Sequence, residues 1–372
     1  MTILNSMFKC ARKCSLLLSA AVIFGGCAGT PPSARLSSST TSPAKSADSE
    51  QTTKGLSDVF DEDRSQNMAI TTTSEAVDLD RWPLTGLQDE GVGTWPVLMV
   101  KIDNHDRARP QAGINSADVV FEEIVEGGLT RFAALFHSQQ TELLGPIRSV
   151  RTSDFNLLRN LNRPLFANSG GNEAVLRLLQ EIEYVDVSSN AAIGAYKRVE
   201  ERPSPHNLFS DTESLRAVGT SRGEGGPPPT MFLREVADDV LAAPSDPVRG
   251  LNIDYGSTVV QYRWDQNTKW VRNQNGTPHL DSDGVAVAPD VVIVQVVSYG
   301  RSRADGRSPE AMLLGEGKAL VFFDGKVTEG FWRRTNAEEM TQYFDRDGQT
   351  IAMPSGRIWV ALPRVGQTQI VE

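Results

Sequence analysis

The chain has 372 residues and carries 47 acidic against 37 basic side chains, which gives a formal net charge of −10. This acidic surplus argues against the broad basic surface of nucleic-acid-binding proteins, so we expect no nucleic acid among its partners. It also argues against electrostatic attachment to a membrane. The three cysteines all lie in the first 27 residues. We therefore expect a folded part without a disulfide or a cysteine-based metal site.

The first 27 residues, 1–27, have the layout of a lipoprotein signal peptide. Three basic residues precede a short apolar run, and Gly25 and Gly26 stand directly before Cys27. The run is too short to span a bilayer, which takes about 20 residues. We predict that the signal is removed and that Cys27 becomes the lipidated first residue. An ordinary signal peptide and an uncleaved anchor are the alternatives.

Residues 28–80 are expected to form a disordered tether. Eighteen of these 53 positions are Ser or Thr, and the apolar residues between them follow no period. Such a segment cannot bury enough surface to offset the entropy lost on ordering. A coil of this length reaches about 40 Å. Lipid on Cys27 would then hold the folded part at the extracytoplasmic face of the cytoplasmic membrane.

Residues 81–222 alternate predicted strands and helices, which indicates an α/β or α+β N-terminal domain. Apolar runs predict strands over 97–100, 119–125, 131–137, 164–167 and 184–187. Helical spacing of apolar residues predicts helices over 149–162 and 173–183.

A stretch rich in Gly and Pro marks a boundary, and we assign 223–250 to a linker. Residues 251–372 are predicted to form a mainly antiparallel β C-terminal domain. Its predicted strands cover 259–264, 270–273, 291–297, 319–323, 331–334 and 358–362. Its predicted turns are Asn275-Gly276, Asp283-Gly284, Asp324-Gly325 and Asp347-Gly348, where Gly supplies the positive φ that a tight hairpin needs.

Segment 101–109 places charged and amide side chains directly after a buried strand. Binding sites are commonly built on such loops, so Asp103, Asn104 and Arg109 are candidate ligand contacts. The alternative is a solvated loop with an Asx turn. Asp103 and His105 could also bind a metal, but no further His or Cys lies at ligand spacing. We therefore predict no metal and no cofactor.

Two carboxylates are predicted to share one face of a strand. By the two-residue period, Glu122 and Glu126 point the same way, and Glu123 points the other way. If residues 126 and 131 flank a four-residue hairpin loop, Glu126 faces Arg131 across the turn. A cross-strand ion pair is one interpretation. Acid–base chemistry by the two carboxylates is the other.

Arg148 and Arg151 lie where the helix over 149–162 is predicted to start. A helix N-terminus carries partial positive charge, so cations there need something negative nearby. The Glu122/Glu126 face would be a structural explanation. An anionic ligand, such as a phosphate or a carboxylate, would be a functional one.

The turn at 168–171, Asn-Ser-Gly-Gly, leads from a predicted strand into a helix. Free amides at such a turn could cradle an anion, and Ser169 has the outline of a hydrolase nucleophile. Asp186 and His206 follow in the order Ser, Asp, His, although the spacing is compact. A tight packing turn is the alternative. His206 and Asn207 lie in a proline-flanked turn, where the imidazole would act as a base or as a structural hydrogen-bonding group.

This polar string resembles the YerB-like lipoprotein family over about residues 82–365. The matching segments are 101–105 (KIDNH), 108–113 (ARPQAG), 117–122 (ADVVFE), 125–132 (VEGGLTRF), 145–151 (GPIRSVR), 169–171 (SGG), 205–208 (PHNL), 262–264 (YRW), 279–281 (HLD) and 330–332 (GFW). The resemblance implies lipid anchoring outside the cytoplasmic membrane and a two-part layout. It implies no established activity.

Three hypotheses follow for the function. The first is a lipid-anchored binding or scaffold module for an anionic ligand or an envelope partner, such as a cell-wall fragment or an envelope protein. Its site would be built from Asp103, Asn104, Arg109, Glu122, Glu126, Arg131, Arg148, Arg151, Ser169, His206 and Asn207. The alternative is an envelope hydrolase that uses Ser169, or the Glu122/Glu126 face, with His206. The third is a structural polar network that holds two domains together.

Overall fold

A computed structural model of the protein describes residues 80–88, 91, 93–223, 225–232, 245–265 and 269–372. The predicted signal peptide, Cys27 and the tether through residue 79 lie outside this part. So do residues 233–244 of the predicted linker. Of the helices that are described, none has both the length and the apolar composition needed to cross a membrane.

The described elements are mostly short strands. In the first half they are β1 (Leu98–Asp103), β2 (Val119–Ile124), β3 (Thr130–Phe136), β4 (Leu165–Ala167), β5 (Val185–Asp186), β6 (Lys197–Arg198) and β7 (Leu208–Phe209). In the second half they are β8 (Asp246–Pro247), β9 (Gly250–Asp254), β10 (Val259–Asp265), β11 (Lys269–Gln274), β12 (Thr277–Pro278), β13 (Val291–Gln295), β14 (Tyr299–Arg301), β15 (Pro309–Ala311), β16 (Gly315–Phe323), β17 (Lys326–Arg334), β18 (Gln342–Asp345), β19 (Ile358–Ala361) and β20 (Thr368–Val371). The α-helices are α1 (Asp154–Leu158), α2 (Glu173–Leu179) and α3 (Thr212–Ser221).

One mixed sheet takes strands from both halves of the chain. Its order is β18-β17-β16-β13-β19-β2-β3-β1-β4-β5, with β8 beside β17. The junction is β19, which runs parallel to β13 on one side and to β2 on the other. At this junction Val360 is the register partner of both Ile293 and Phe121. The N-terminal and C-terminal halves therefore share a continuous hydrogen-bonded sheet.

Alternation along the strands gives the mixed sheet two apolar faces. On one face Val100 belongs to the same core cluster as Trp270, which lies in the five-stranded sheet β12-β11-β10-β9-β20. On the other face Met99 clusters with Phe155 of α1 and Leu179 of α2. Both faces are thus covered. Because both faces are covered, a strand in the middle of the sheet is buried on both sides, and all six residues of β1 are buried.

The predicted fold class, an α/β N-terminal part followed by a mainly β C-terminal part, is confirmed. The hairpin turns are also as predicted, because Asn275 and Gly276 have φ of 52° and 76°, and Asp324 and Gly325 have φ of 51° and 69°. Helix α3 was missed. Its local signal was Asp211, whose side chain accepts a hydrogen bond from the Ser214 amide at 2.7 Å as an N-cap.

The predicted helix over 149–162 is wrong in extent, because only Asp154–Leu158 is helical. The residues before this helix form backbone hydrogen bonds with residues that are far away in the chain. The Arg148 amide donates to the Lys101 carbonyl at 2.8 Å, and the Val150 amide donates to the Gly170 carbonyl at 3.0 Å. The two arginines therefore precede the helix instead of occupying its first turn.

Candidate functional site

Three arginines, Arg131, Arg148 and Arg151, come together where β1 and β3 meet the segment before α1, and we call them the arginine cluster. Asp103, the last residue of β1, is the register partner of Arg131 in β3. The hydrogen bond from the Arg148 amide to β1 holds that segment beside the strand ends. The Arg131 guanidinium donates a hydrogen bond to the Ser149 carbonyl at 3.3 Å. Ser149 lies between Arg148 and Arg151 along the chain.

Two members of the arginine cluster have carboxylate partners. Arg148 Nε lies 3.0 Å from Asp103 Oδ2. Arg151 binds Glu126 through two hydrogen bonds, Nε to Oε1 at 2.9 Å and Nη2 to Oε2 at 3.0 Å. Burial opposes ionisation of Glu126. The bonds from Arg151 and from the Ser308 hydroxyl outweigh it and lower the pKa of Glu126 to about 2. Asp103 and Glu126 are thus already paired with Arg148 and Arg151.

Arg131 has no such partner. It is 8% exposed, its one hydrogen bond is to the Ser149 carbonyl, and no carboxylate of the described residues lies at ion-pair distance from it. Burial, and then the charges of Arg151 and Arg148, lower the pKa of Arg131 to about 10. Asp103 and Glu126 offset part of this effect without forming an ion pair with Arg131. Three guanidinium groups therefore face two carboxylates, and the deepest of the three has no carboxylate partner of its own.

His206 joins this site through Asp103. Its Nδ1 lies 2.7 Å from Asp103 Oδ2, so one carboxylate oxygen serves both the imidazole and Arg148. The His105 ring stacks on the His206 ring with centroids 4.6 Å apart. Within the part of the chain that is described, no three His, Cys, Asp or Glu side chains are grouped so as to hold a metal ion.

The hydrolase arrangement predicted around Ser169 is wrong. Its hydroxyl faces the Ser149 hydroxyl at 3.5 Å, and none of the four histidines hydrogen-bonds it. The predicted free amides are not free either. The Ser169 amide donates to the Arg148 carbonyl, and the Gly170 amide donates to the Asn168 side chain at 2.8 Å. The backbone of the turn at 168–171 is hydrogen-bonded to Arg148 and Val150, and the Ser169 hydroxyl lies beside the Ser149 hydroxyl.

The predicted Glu122/Glu126 face is also wrong. Strand β2 ends at Ile124, and Glu126 lies in a turn whose Gly127 has φ of 72°. On the β2 side of β3 the register partner of Arg131 is Glu123, so Glu126 does not face Arg131 across the hairpin. The two-residue period holds only within the strand. The turn carries Glu126 to Arg151 and leaves Glu122 in the core.

Glu122 instead belongs to a buried polar network that joins the two halves. Its carboxylate accepts two hydrogen bonds from Arg272 Nη2, at 2.8 and 3.0 Å, and one from the Trp359 indole at 3.0 Å. Glu122 and Arg272 are both 0% exposed. Burial alone would lower the pKa of Arg272, but the Glu122 charge and its hydrogen bonds raise it above its ordinary value. The pair is a structural ion pair.

The same network takes up Asn104. The Arg272 guanidinium forms hydrogen bonds with the Gln274 side chain and with His279 Nδ1. His279 Nε2 is hydrogen-bonded to the Gln111 side chain. Gln111 in turn donates to the Asn104 side-chain oxygen at 3.1 Å, and Asn104 donates to Gln274 at 2.9 Å. Every member is buried. Asn104, a predicted ligand contact, is therefore a link between β1 and β11.

Two further predicted contacts lie apart from the arginine cluster. Arg109 pairs with Asp106 at 2.5 Å and reaches the Gln274 carbonyl at 3.4 Å. Asn207 accepts a hydrogen bond from Arg198 at 2.7 Å and closes the short β6–β7 hairpin. The structure thus brings together Asp103, Glu126, Arg131, Arg148, Arg151, Ser169 and His206. It separates Asn104, Arg109, Glu122 and Asn207 from them.

A second buried charge cluster was not singled out from the sequence. Lys101 Nζ donates to Glu123 Oε1 and, at 2.7 Å, to Asp154 Oδ1. All three side chains are at most 1% exposed. Asp154 also accepts the Arg151 amide at 2.7 Å, so the cluster supports one arm of the arginine cluster. A lysine inside the apolar run 98–102 was the available signal, because a buried cation needs a partner.

Glu123 should make the stability depend on pH. Burial raises the pKa of Glu123 from 4.5 to about 7. The positive charge of Lys101 opposes this rise, and the negative charge of Asp154 adds to it. The folded protein therefore keeps a proton that the unfolded chain releases, so the stabilisation is complete below about pH 4.5 and is lost as the pH rises through about 7. We expect wild type to lose stability relative to Glu123→Gln over this interval in urea titrations. Exposed Glu316→Gln is the control, and parallel profiles for wild type and Glu123→Gln would contradict the expectation.

The shared sheet and the buried Glu122–Arg272 pair define a two-part fold in which both halves of the chain build one structure. The chain belongs to the family described as protein of unknown function (DUF3048). Residues 84–224 match its N-terminal domain and residues 251–360 match its C-terminal domain. This confirms the resemblance found in the sequence.

YerB of Bacillus subtilis is similar to this chain both in sequence and in structure. The chain is 29% identical over 289 residues to "Putative lipoprotein YerB" of Bacillus subtilis (strain 168), across 75% of this chain and 84% of the relative. A crystal structure of the YerB protein from Bacillus subtilis matches with a TM-score of 0.69 and 26% identity. That match covers 78% of this chain and 99% of the other.

Proposed function

We propose that this protein is a lipid-anchored, extracytoplasmic module of the cell envelope that binds an anionic ligand through the arginine cluster. The observation that carries the proposal is Arg131, a cation that is 8% exposed and has no carboxylate partner among the described residues. Leaving a charge uncompensated in a poorly solvated place is unfavourable. A phosphate or carboxylate group of a ligand would supply the missing negative charge.

The surroundings of Arg131 favour a small oxyanion. Guanidinium groups bind phosphate and carboxylate oxygens in a planar, two-pronged geometry. Arg148 and Arg151 are each 16–19% exposed along the side chain, so both can be reached from solvent. Ser149 follows Arg148 in the chain, the Ser169 amide bonds the Arg148 carbonyl, and the two serine hydroxyls lie 3.5 Å apart. Either hydroxyl could donate to a third oxygen. Asp103 and Glu126 orient the two flanking arginines.

The envelope location is supported by the sequence and by the family. The segment before Cys27 has the form of a lipoprotein signal, and the relative in Bacillus subtilis is described as a lipoprotein. Lipid on Cys27 would anchor the chain, and the partner would be a cell-wall fragment or an envelope protein. Labelled fatty acid should enter the wild-type chain and not Cys27→Ser. Equal labelling of both would contradict the anchor.

Binding should be measured with the full chain by calorimetry and thermal unfolding. The probes are inorganic phosphate, a muropeptide and a phosphorylated wall fragment. A ligand present at about 100 times its Kd should add about 2.7 kcal/mol of stability to wild type. Arg131→Gln should lose this response, and Arg177→Gln, an exposed arginine on α2, should keep it. No response to any probe, or an equal response in Arg131→Gln, would refute the proposal.

A further inference from the structure

A groove of about 510 Å³ is lined in part by Glu126, the carboxylate partner of Arg151. Its walls are the turn Glu126–Gly128, the hairpin of β14 and β15 with its connecting loop, and Arg364. We call it the basic groove. Its volume falls within the range of about 300–1,000 Å³ typical of small-ligand sites.

The charges that line the basic groove are mostly positive. Arg301, Arg307 and Arg364 line it, and Glu126 is the one acidic side chain in its described lining. Glu126 is already held by Arg151 and by Ser308, whose hydroxyl donates to it at 2.5 Å. The carboxylate on this wall therefore pairs with Arg151 and with none of the three groove arginines.

Two of the groove arginines have no ion-pair partner among the described side chains. Arg301 has neither an ion pair nor a side-chain hydrogen bond there, and Arg364 stacks its guanidinium 4.8 Å from the centre of the Tyr299 ring. Stacking on an aromatic face fixes the plane of a guanidinium while its N–H groups stay available. All three groove arginines are exposed to solvent, and Arg307 differs from the other two because it lies 3.5 Å from Asp305.

Gly306 leaves one part of the groove lining without a side chain. A Cβ at this position would meet no atom within 4 Å, and its φ lies outside the left-handed region. The neighbouring Gly127 and Gly128 differ, since φ of 72° and 73° requires glycine there. Nothing in the described fold therefore needs a glycine at 306. A glycine also lets a ligand approach the main chain closely, and Gly306 lines the groove.

We propose that the basic groove is a second ligand site, adjoining the arginine cluster, for a molecule that carries at least two anionic groups. One phosphate or carboxylate binds Arg301, another binds Arg364, and the ligand passes over the main chain at Gly306. This site does not depend on the proposed function of the arginine cluster. Phosphate and carboxylate are the shared chemistry of the candidate ligands, and the experiment separates them.

The test is calorimetric titration of the full chain with tripolyphosphate and, separately, with triglutamate. All samples carry Arg131→Gln, so that the arginine cluster is disabled in each. We expect one binding site for at least one probe, with affinity that falls as salt is added. Adding Arg301→Gln and Arg364→Gln together should weaken it at least about 10-fold. Adding Arg333→Gln, which changes an exposed arginine on β17, should leave the affinity unchanged.

Gly306→Leu provides a second variant that does not alter charge. Its side chain would project into open space, so thermal stability should stay the same while binding weakens. The proposal is overturned if neither probe binds, if the double arginine variant binds like its parent, or if Arg333→Gln weakens binding as much. The probe that binds more tightly shows whether the ligand groups are phosphates or carboxylates.

Discussion

Replacing Glu122 by Gln should lower the free energy of unfolding by about 3–5 kcal/mol, the usual cost of removing one partner from a buried ion pair. Arg272 would stay charged, because guanidinium does not deprotonate near neutral pH. It is 0% exposed, so water cannot replace the carboxylate. The Trp359 indole and the Thr130 hydroxyl would also exchange an anionic acceptor for a neutral one.

Urea titration at neutral pH measures this effect, with the m-value checked for constancy. Glu316→Gln is the matched control, since Glu316 is 65% exposed along its side chain and its pair with Arg333 should contribute about 0–1 kcal/mol. The double change Glu122→Leu with Arg272→Met should recover most of the loss by removing both charges. A loss below about 1 kcal/mol in Glu122→Gln would show that the pair does not hold the halves together.

Arg131→Met should have the opposite effect and raise the free energy of unfolding by about 1–2 kcal/mol, because it replaces a buried cation that has no ion-pair partner with an apolar chain of similar length. The single hydrogen bond to the Ser149 carbonyl is a smaller loss. The repulsion from Arg148 and Arg151, which lowers the pKa of Arg131, disappears as well. Anion binding should be lost in the same variant.

Arg272→Met is the matched comparison for this prediction. The substitution is the same and the burial is similar, but Arg272 has a carboxylate partner and Arg131 has none. Arg272→Met should therefore destabilise the protein, whereas Arg131→Met stabilises it. If both variants lose stability equally, Arg131 is a structural residue and the ligand proposal fails. Stability gained together with binding lost is typical of a functional site.

Much of the fold could be predicted from local signals. Strands such as β1 and β13 follow from apolar runs, and the turns at Asn275-Gly276 and Asp324-Gly325 follow from the need for positive φ. The sequence could not show that the helix predicted over 149–162 is limited to Asp154–Leu158. The reason is that the amides of Arg148 and Val150 form hydrogen bonds with carbonyl groups far away in the chain. Long-range pairing leaves no trace in a local pattern.

The candidate site was predicted in part. Arg148 and Arg151 were singled out as cations that need negative partners, and Asp103 and Glu126 are those partners. The expected role of Glu122 failed because its own partner, Arg272, lies 150 residues away. No spacing rule connects residues at that separation, so sequence reasoning had no means of pairing them.

By itself, the sequence determined the family, the fold class and the chemistry of the polar segments, because turn geometry, side-chain period and residue type are properties of neighbouring positions. Only the tertiary structure decided which charges meet. Strand β19 inserts beside β2 and brings the C-terminal half against the N-terminal half, so that Glu122 is neutralised by Arg272. Arg131 is left without an ion-pair partner for the same reason, since the pairing of a buried charge depends on distances that exist only after folding.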